Sequence, residues 1–162
     1  MNKNWSNTVL VAYSALPKIV NELDFGVSTR VKSSFGSIHL KNGVSTEQLI
    51  GEIAELNNEK RKIVNLRIIT VDAMNKLDDL DRQLLIARIM RKKTFQQIST
   101  DFNLSLRTVF RKLKAAEESF AFTLAASGYS EEWLESEYSN NKYISAIHQR
   151  ILNDAYFVAK SM

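Results

Sequence analysis

The chain has 162 residues, with 22 Lys and Arg against 18 Asp and Glu, a formal net charge of +4 and 44% hydrophobic residues. That hydrophobic share is ample for the core of one compact domain or of a small domain with appendages, and five Gly with one Pro argue for helix over sheet. The absence of cysteine excludes disulfides and thiolate metal sites, and fits a reducing, cytoplasmic setting.

The opening run, MNKNWSNTVLVAYSALPKIV, is interrupted by Asn4, Ser6, Asn7, Tyr13 and Pro17 and is followed by no small-residue cleavage site. It is expected to be neither signal nor membrane anchor. Val9, Ala12, Leu16, Ile19 or Val20, and Leu23 trace a helical stripe through Pro17, which should kink the helix or start a second one. Gly26 is expected to end it. The next stretch, VSTRVKSSFGSIHLKNG, lacks periodicity and carries Arg30, Lys32 and Lys41. It reads as a short helix and a loop, and is the best linker candidate.

Ser45 opens a Ser-Thr-Glu-Gln capping box, and the helix it starts meets no Pro, and no Gly after position 51, almost to Lys76. Leu49, Ile53, Leu56, Ile63, Thr70, Met74 and Leu77 fall at heptad-like steps, while Lys60 and Arg67 interrupt the seam. Val64, Ile68 and Val71 make a second apolar face. The pattern predicts a bundle helix wrapped on two sides in preference to a strict coiled coil, with a homodimer through this helix as the lesser alternative.

Leu80, Leu84, Ala87 and Met90 form one stripe of the next helix, and Asp78, Asp79 and Asp81 at its start suit cap and dipole better than a metal site. Arg91, Lys92 and Lys93 sit at its C-terminal end, where positive charge is favoured. Thr94 is placed to cap a short helix that turns Phe95, Ile98 and Phe102 to one side. Asn103 stands where a tight turn needs a left-handed residue. Ser105 then caps a third helix with a buried stripe of Val109, Leu113, Ala116 and Phe120, and with Arg107, Thr108, Arg111, Lys112 and Lys114 on its other faces.

From Arg88 to Lys114 there are eight Lys or Arg against one acid, Asp101. A solvated face explains many charge runs. Here the cations coincide with a turn and a capped helix, the footprint of a helix-turn-helix that neutralises phosphates of double-stranded DNA. In that reading Arg107, Arg111 and Lys112 lie nearest bases or phosphates, Ser105 and Thr108 stand at the helix start, and Lys92, Lys93 and Lys114 flank on the backbone. Phe110 either meets a thymine methyl or packs as a second core residue beside Val109.

Beyond this helix Glu131, Glu132, Glu135 and Glu137 outweigh Lys142, Arg150 and Lys160, so the tail should be repelled by DNA. Gly128 caps the preceding helix, Ser130 starts a short acidic one, and Ile144, Ile147, Ile151, Ala155 and Val158 trace a last amphipathic helix. That stripe either folds back onto the N-terminal helices, the favoured reading, or leaves Trp133, Tyr138 and Tyr143 facing another protein.

The segment from Leu77 to Phe120 resembles region 4 of the bacterial sigma-70 family, a promoter-reading domain. The likeness rests on Leu77 with QLLIARIM at Gln83 to Met90, on Phe95, Gln96, Gln97, Ile98 and Ser99, and on Ser105, Thr108, Val109, Arg111, Lys112 and Leu113. Ser99 stands where the family usually has Ala, and Asn103 where Gly is usual. The resemblance implies a transcriptional regulator that acts with RNA polymerase. No match to a promoter-melting segment is found in residues 1 to 76, so the overall size looks more like the small phage and Gram-positive regulators of the ArpU-like kind than like a complete sigma factor. An alternative is an adaptor that docks on polymerase or a sigma factor with little DNA contact.

The chain as a whole is thus expected to be an all-α helical bundle containing a helix-turn-helix. Residues 1–43 form an N-terminal helical segment and loop, 44–76 a long connecting helix, 77–124 the helix-turn-helix, and 125–162 an acidic helical extension. Catalysis is not expected: His39 and His148 lie far apart, His148 on the polar side of a helix, and no Gly-rich phosphate loop occurs. Neither a metal nor a cofactor is expected.

Overall fold

The computed structural model describes the backbone of residues 4–35 and 45–161 and the side chains of residues 5–32 and 45–154. Among them there is no strand: the fold is an all-α bundle, as composition predicts. None of the described helices is long and apolar enough to cross a membrane. Contacts divide the chain into two compact units, Ala15–Arg67 and a discontinuous one made of Met1–Ser14 with Ile68–Met162.

In the first unit, α2 (Leu16–Phe35) begins after the 3-10 turn at Tyr13–Ala15, which in chain order follows α1 (Asn4–Ala12), a helix of the second unit. Pro17 is the second residue of α2, where its missing N–H is one the first turn leaves unpaired anyway. Gly26 does not end this helix. It lies in its interior, and a Cβ there would meet Leu56 Cδ1 at 3.3 Å, so the glycine serves close approach and not termination. The stretch from Val27, expected to hold a short helix and a loop, continues the helix to Phe35, while Gly36 to Val44, with His39 and Lys41, lies outside the described residues.

Ser45 caps α3 (Thr46–Asn75), its Oγ accepting from the Gln48 N–H at 3.1 Å. Arg30 meets Glu52 at 2.8 Å and Lys60 meets Asp24 at 2.7 Å. These pairs, with Gly26 against Leu56, set an antiparallel register; being half-exposed, they fix alignment more than they add stability. Along α3 the buried residues are Leu49, Ile63, Leu66, Ile69, Thr70, Ala73 and Met74, a single helical stripe. The expected second covered face is absent: Val64, Ile68 and Val71 are exposed, Ile68 at 61%.

In the second unit, α4 (Asp79–Leu85) runs into a π-helical segment, Ile86–Met90, then α5 (Phe95–Phe102), α6 (Leu106–Ala126), α7 (Glu131–Tyr138) and α8 (Lys142–Ser161). The stripe expected on α4 is corrected at its start. Leu80 in the first turn is exposed, and Leu77 and Leu85 are buried with Leu84 and Ala87. Asp78 is the N-cap but makes no side-chain capping bond, and Asp79 bonds Arg82 and Gln83 within the same helix.

The start of the tail folds back, while the side chains of Ala155 and Val158, the far part of its expected stripe, lie outside the described residues. Ile144 and Ile147 are buried and α8 packs on α1. Tyr138, entertained as a partner contact, is buried at 1%, and burial, then the nearby Glu137 charge, pushes its hydroxyl above the ordinary value. Gly128, at φ +97, closes α6 with the Tyr129 N–H on the Leu124 carbonyl at 2.9 Å, and the Ser130 Oγ accepts from the Trp133 N–H. Glu131 then reaches the opposite end of the chain, where its two oxygens accept from the Trp5 N–H at 2.7 Å and the Ser6 N–H at 3.1 Å. It satisfies two of the donors that the start of α1 leaves open.

His148, read as lying on a polar face, is half-buried. Its ring stacks on Trp5 at 3.7 Å and 10°, with Nδ1 2.8 Å from the Thr8 hydroxyl. Burial lowers its pKa below 6.5, opposed by Glu131 and Glu135.

Candidate nucleic-acid interface

The basic residues are positioned by a small core in which Leu84, Ala87, Ile98, Val109 and Leu113 are buried and Phe95, Phe102 and Leu104 pack against them. Thr94 caps α5 in a full capping box: its Oγ accepts from the Gln97 N–H, and the Gln97 side chain accepts from the Thr94 N–H at 2.9 Å. Asn103 adopts φ 53 and ψ 49, the left-handed conformation expected of it. The Ser99 hydroxyl donates to the Leu104 carbonyl, and the Leu104 N–H returns to the Ser99 carbonyl at 3.0 Å. A serine at this position therefore ties α5 to the turn, a bond that alanine would lack.

Ser105 caps α6, accepting from the Thr108 N–H at 3.2 Å and donating to the Thr108 hydroxyl at 2.9 Å. The expected stripe of Val109, Leu113, Ala116 and Phe120 is buried throughout. At 100° per residue, Arg107, Arg111 and Lys114 fall on the opposite face of α6, and all three are exposed. Lys112 is half-buried on the flank. Past Lys114 the helix carries Glu117 and Glu118, so the basic stripe occupies only its N-terminal half.

Not every cation in the cluster is equally available. Lys93 is held by Asp101 at 2.6 Å. Arg88 donates to the Lys93 carbonyl at 2.9 Å and lies 4.0 Å over the Phe95 ring, which makes it a fixture of the turn. Among the described residues, Arg91, Lys92, Arg107, Arg111, Lys112 and Lys114 make no ion pair. Arg91, in sequence only part of the helix-end run, is exposed and joins the candidates.

Lys92 takes φ 54, and the Lys93 N–H reaches back to the Ala87 carbonyl at 3.0 Å. The helix thus ends on a left-handed lysine where glycine or asparagine would be less strained. Nothing in the local sequence marks that conformation.

Phe110 is 52% exposed, yet its ring lies 4.2 Å from that of Phe95. It is neither a core residue beside Val109 nor free of the fold: one face packs on Phe95 and the remainder, with Leu106 at 42%, is open beside the basic stripe. No group of acidic or histidine side chains among the described residues could hold a metal ion. Compared with family models, with curated proteins and with solved structures, the chain matches none of them.

Proposed function

We propose that this protein is a sequence-specific, duplex DNA-binding transcriptional regulator that reads the major groove with α6, in the manner of the sigma-70 region 4 domains it resembles, and acts with RNA polymerase. The observation that supports the reading is the stripe of Arg107, Arg111 and Lys114, exposed, opposite the buried face of a capped helix and held by no carboxylate among the described residues. Arg107 and Arg111 lie one turn apart near the N-terminal end of α6, where side chains reach base edges; Arg91, Lys92, Lys112 and Lys114 supply phosphate contacts.

Six such cations, if each neutralised one phosphate, give a slope of log affinity against log salt of about −5, or a loss near a thousandfold between about 50 and 200 mM salt. Fluorescence anisotropy with promoter and random duplexes across a salt series measures this. Arg107→Ala or Arg111→Ala should cost about 1 to 3 kcal/mol on the preferred site and much less on unrelated DNA. Equal losses on both would make these residues phosphate contacts, and no duplex binding at about 50 mM salt with micromolar protein would remove the reading.

A second reading, an adaptor that docks on polymerase or a sigma factor, draws on Leu106 and Phe110, apolar and open beside the same stripe. A reconstituted transcription assay separates the two. The regulator leaves purified core polymerase silent on a linear template and changes transcription from its own DNA site when a resident sigma factor is added. The adaptor acts independently of that site.

A further inference from the structure

The unit made of Met1–Ser14 and Ile68–Met162 holds an open groove of about 1020 Å³, walled by the start of α1, the Lys76–Asp81 stretch, the C-terminal half of α6, the start of α7 and one face of α8. Six carboxylates line it, from Asp78, Asp81, Glu118, Glu131, Glu132 and Glu135, against one lysine, Lys76. That lysine is already held by Asp72 at 3.0 Å and by the Ser127 hydroxyl at 3.1 Å. Glu131 is committed to the N-terminus of α1, whereas Asp78, Asp81 and Glu132 make no ion pair among the described residues. Between the acids the wall is apolar and aromatic. Phe122 is 75% exposed there, with Tyr129 close by in sequence and also lining the groove.

Two physical consequences follow. An exposed phenylalanine beside a concave surface is apolar area that water covers at a cost until something else does. The surrounding charge is negative, so nucleic acid is repelled and a positively charged occupant is favoured. The carboxylates are spread over three segments, so several cations are needed to match them; one small monocation leaves most of them bare.

We propose that this groove is a docking site for a basic amphipathic segment of a partner protein, which seats an apolar side chain against Phe122 and Tyr129 and sets lysines or arginines against Asp78, Glu118 and Glu132. The site does not depend on the DNA reading: it occupies the C-terminal half of α6, past the basic stripe, and its sign is opposite.

The test is fluorescence anisotropy of the full chain with labelled helical peptides of about 14 residues, roughly four turns. One peptide carries Leu and Lys in amphipathic register, a second Leu and Glu, and a third Lys and Gln without Leu. The Leu/Lys peptide should bind, and the other two should bind far more weakly or not at all. Phe122→Ala should weaken binding about tenfold, as loss of a central anchor does. The pair Asp78→Asn with Glu132→Gln should slow association and reduce its salt dependence. All three positions are exposed, asparagine caps helices as well as aspartate does, and far-UV circular dichroism checks each fold. Equal binding of the Leu/Lys and Lys/Gln peptides, or an unaltered affinity in Phe122→Ala, would overturn the proposal. So would self-association in sedimentation that the same substitutions abolish, since the groove would then belong to a second copy of this chain.

Discussion

Lys92 sets backbone strain and positive charge against each other at one residue, and two substitutions separate them. Its φ of 54 costs an L-residue roughly 1 to 2 kcal/mol relative to glycine, while glycine gives back about 0.4 to 1 kcal/mol through the greater freedom of the unfolded chain. Lys92→Gly should therefore stabilise the protein by about 0.8 kcal/mol, a rise in Tm of roughly 2 °C for a chain of this size. Lys92→Ala retains the Cβ and the strain, and should leave Tm within experimental scatter. Both variants lose the same charge, so both should lower the salt slope of DNA binding by about one unit. Chemical denaturation followed by circular dichroism reads the first effect and anisotropy the second. Equal stability of the Gly and Ala variants would refute the strain, and a full salt slope in either would refute the phosphate contact. A gain in stability paired with a loss in binding is the pattern expected where a functional residue is kept in an unfavourable conformation.

Four further outcomes are expected. Glu131→Ala removes two charge-assisted bonds to the start of α1; because the carboxylate is only half-buried and water can partly replace it, the loss should be about 2 kcal/mol by urea denaturation, and a change below a few tenths would refute the clamp. Asn103→Gly should be neutral to stabilising and Asn103→Ala destabilising by about 1 kcal/mol, a sign difference that calorimetry reads directly. Asp101→Asn releases Lys93 and removes the one acid of the cluster, so the salt slope of DNA binding should steepen by about one unit in the same anisotropy series. Burial holds the pKa of His148 below 6.5, so the folded state binds fewer protons than the unfolded chain; its contribution to stability is complete above pH 6.5 and is lost as pH falls through the lowered value, a decline that His148→Gln should flatten in a pH series of melts.

Where a signal is local, the sequence carried it. The caps at Ser45, Thr94, Ser105 and Ser130, the turn at Asn103 and the stripe through Val109 and Phe120 each depend on residues within a few positions of one another. What escaped depends on distant partners. Gly26 looks like a helix end until Leu56 is packed against it, and His148 looks solvated until Trp5 covers its ring. Leu80 shares a helical face with Leu84 yet is exposed, because burial in a first turn depends on which distant element covers it. In the basic cluster the residue types were legible but their availability was not. Only three-dimensional pairing distinguishes Lys93, engaged by Asp101, and Arg88, laid over Phe95, from the unengaged cations around them.

The reach of Glu131 back to Trp5 has a bearing on how the chain acquires its structure. The contacts that shape the basic turn join residues between Leu84 and Leu113, a short span that closes with little loop entropy and favours early, rapid formation. The contacts that seat α1 span about 125 residues and wait on a segment made late in synthesis. Until α7 and α8 leave the ribosome, the Trp5 and Ser6 N–H groups lack the Glu131 carboxylate and the Trp5 ring lacks His148, although α6 already offers part of the surface on which α1 packs. Nucleation is therefore expected in the middle of the chain, so that Glu131→Ala should speed unfolding more than it slows folding, which stopped-flow kinetics reads directly.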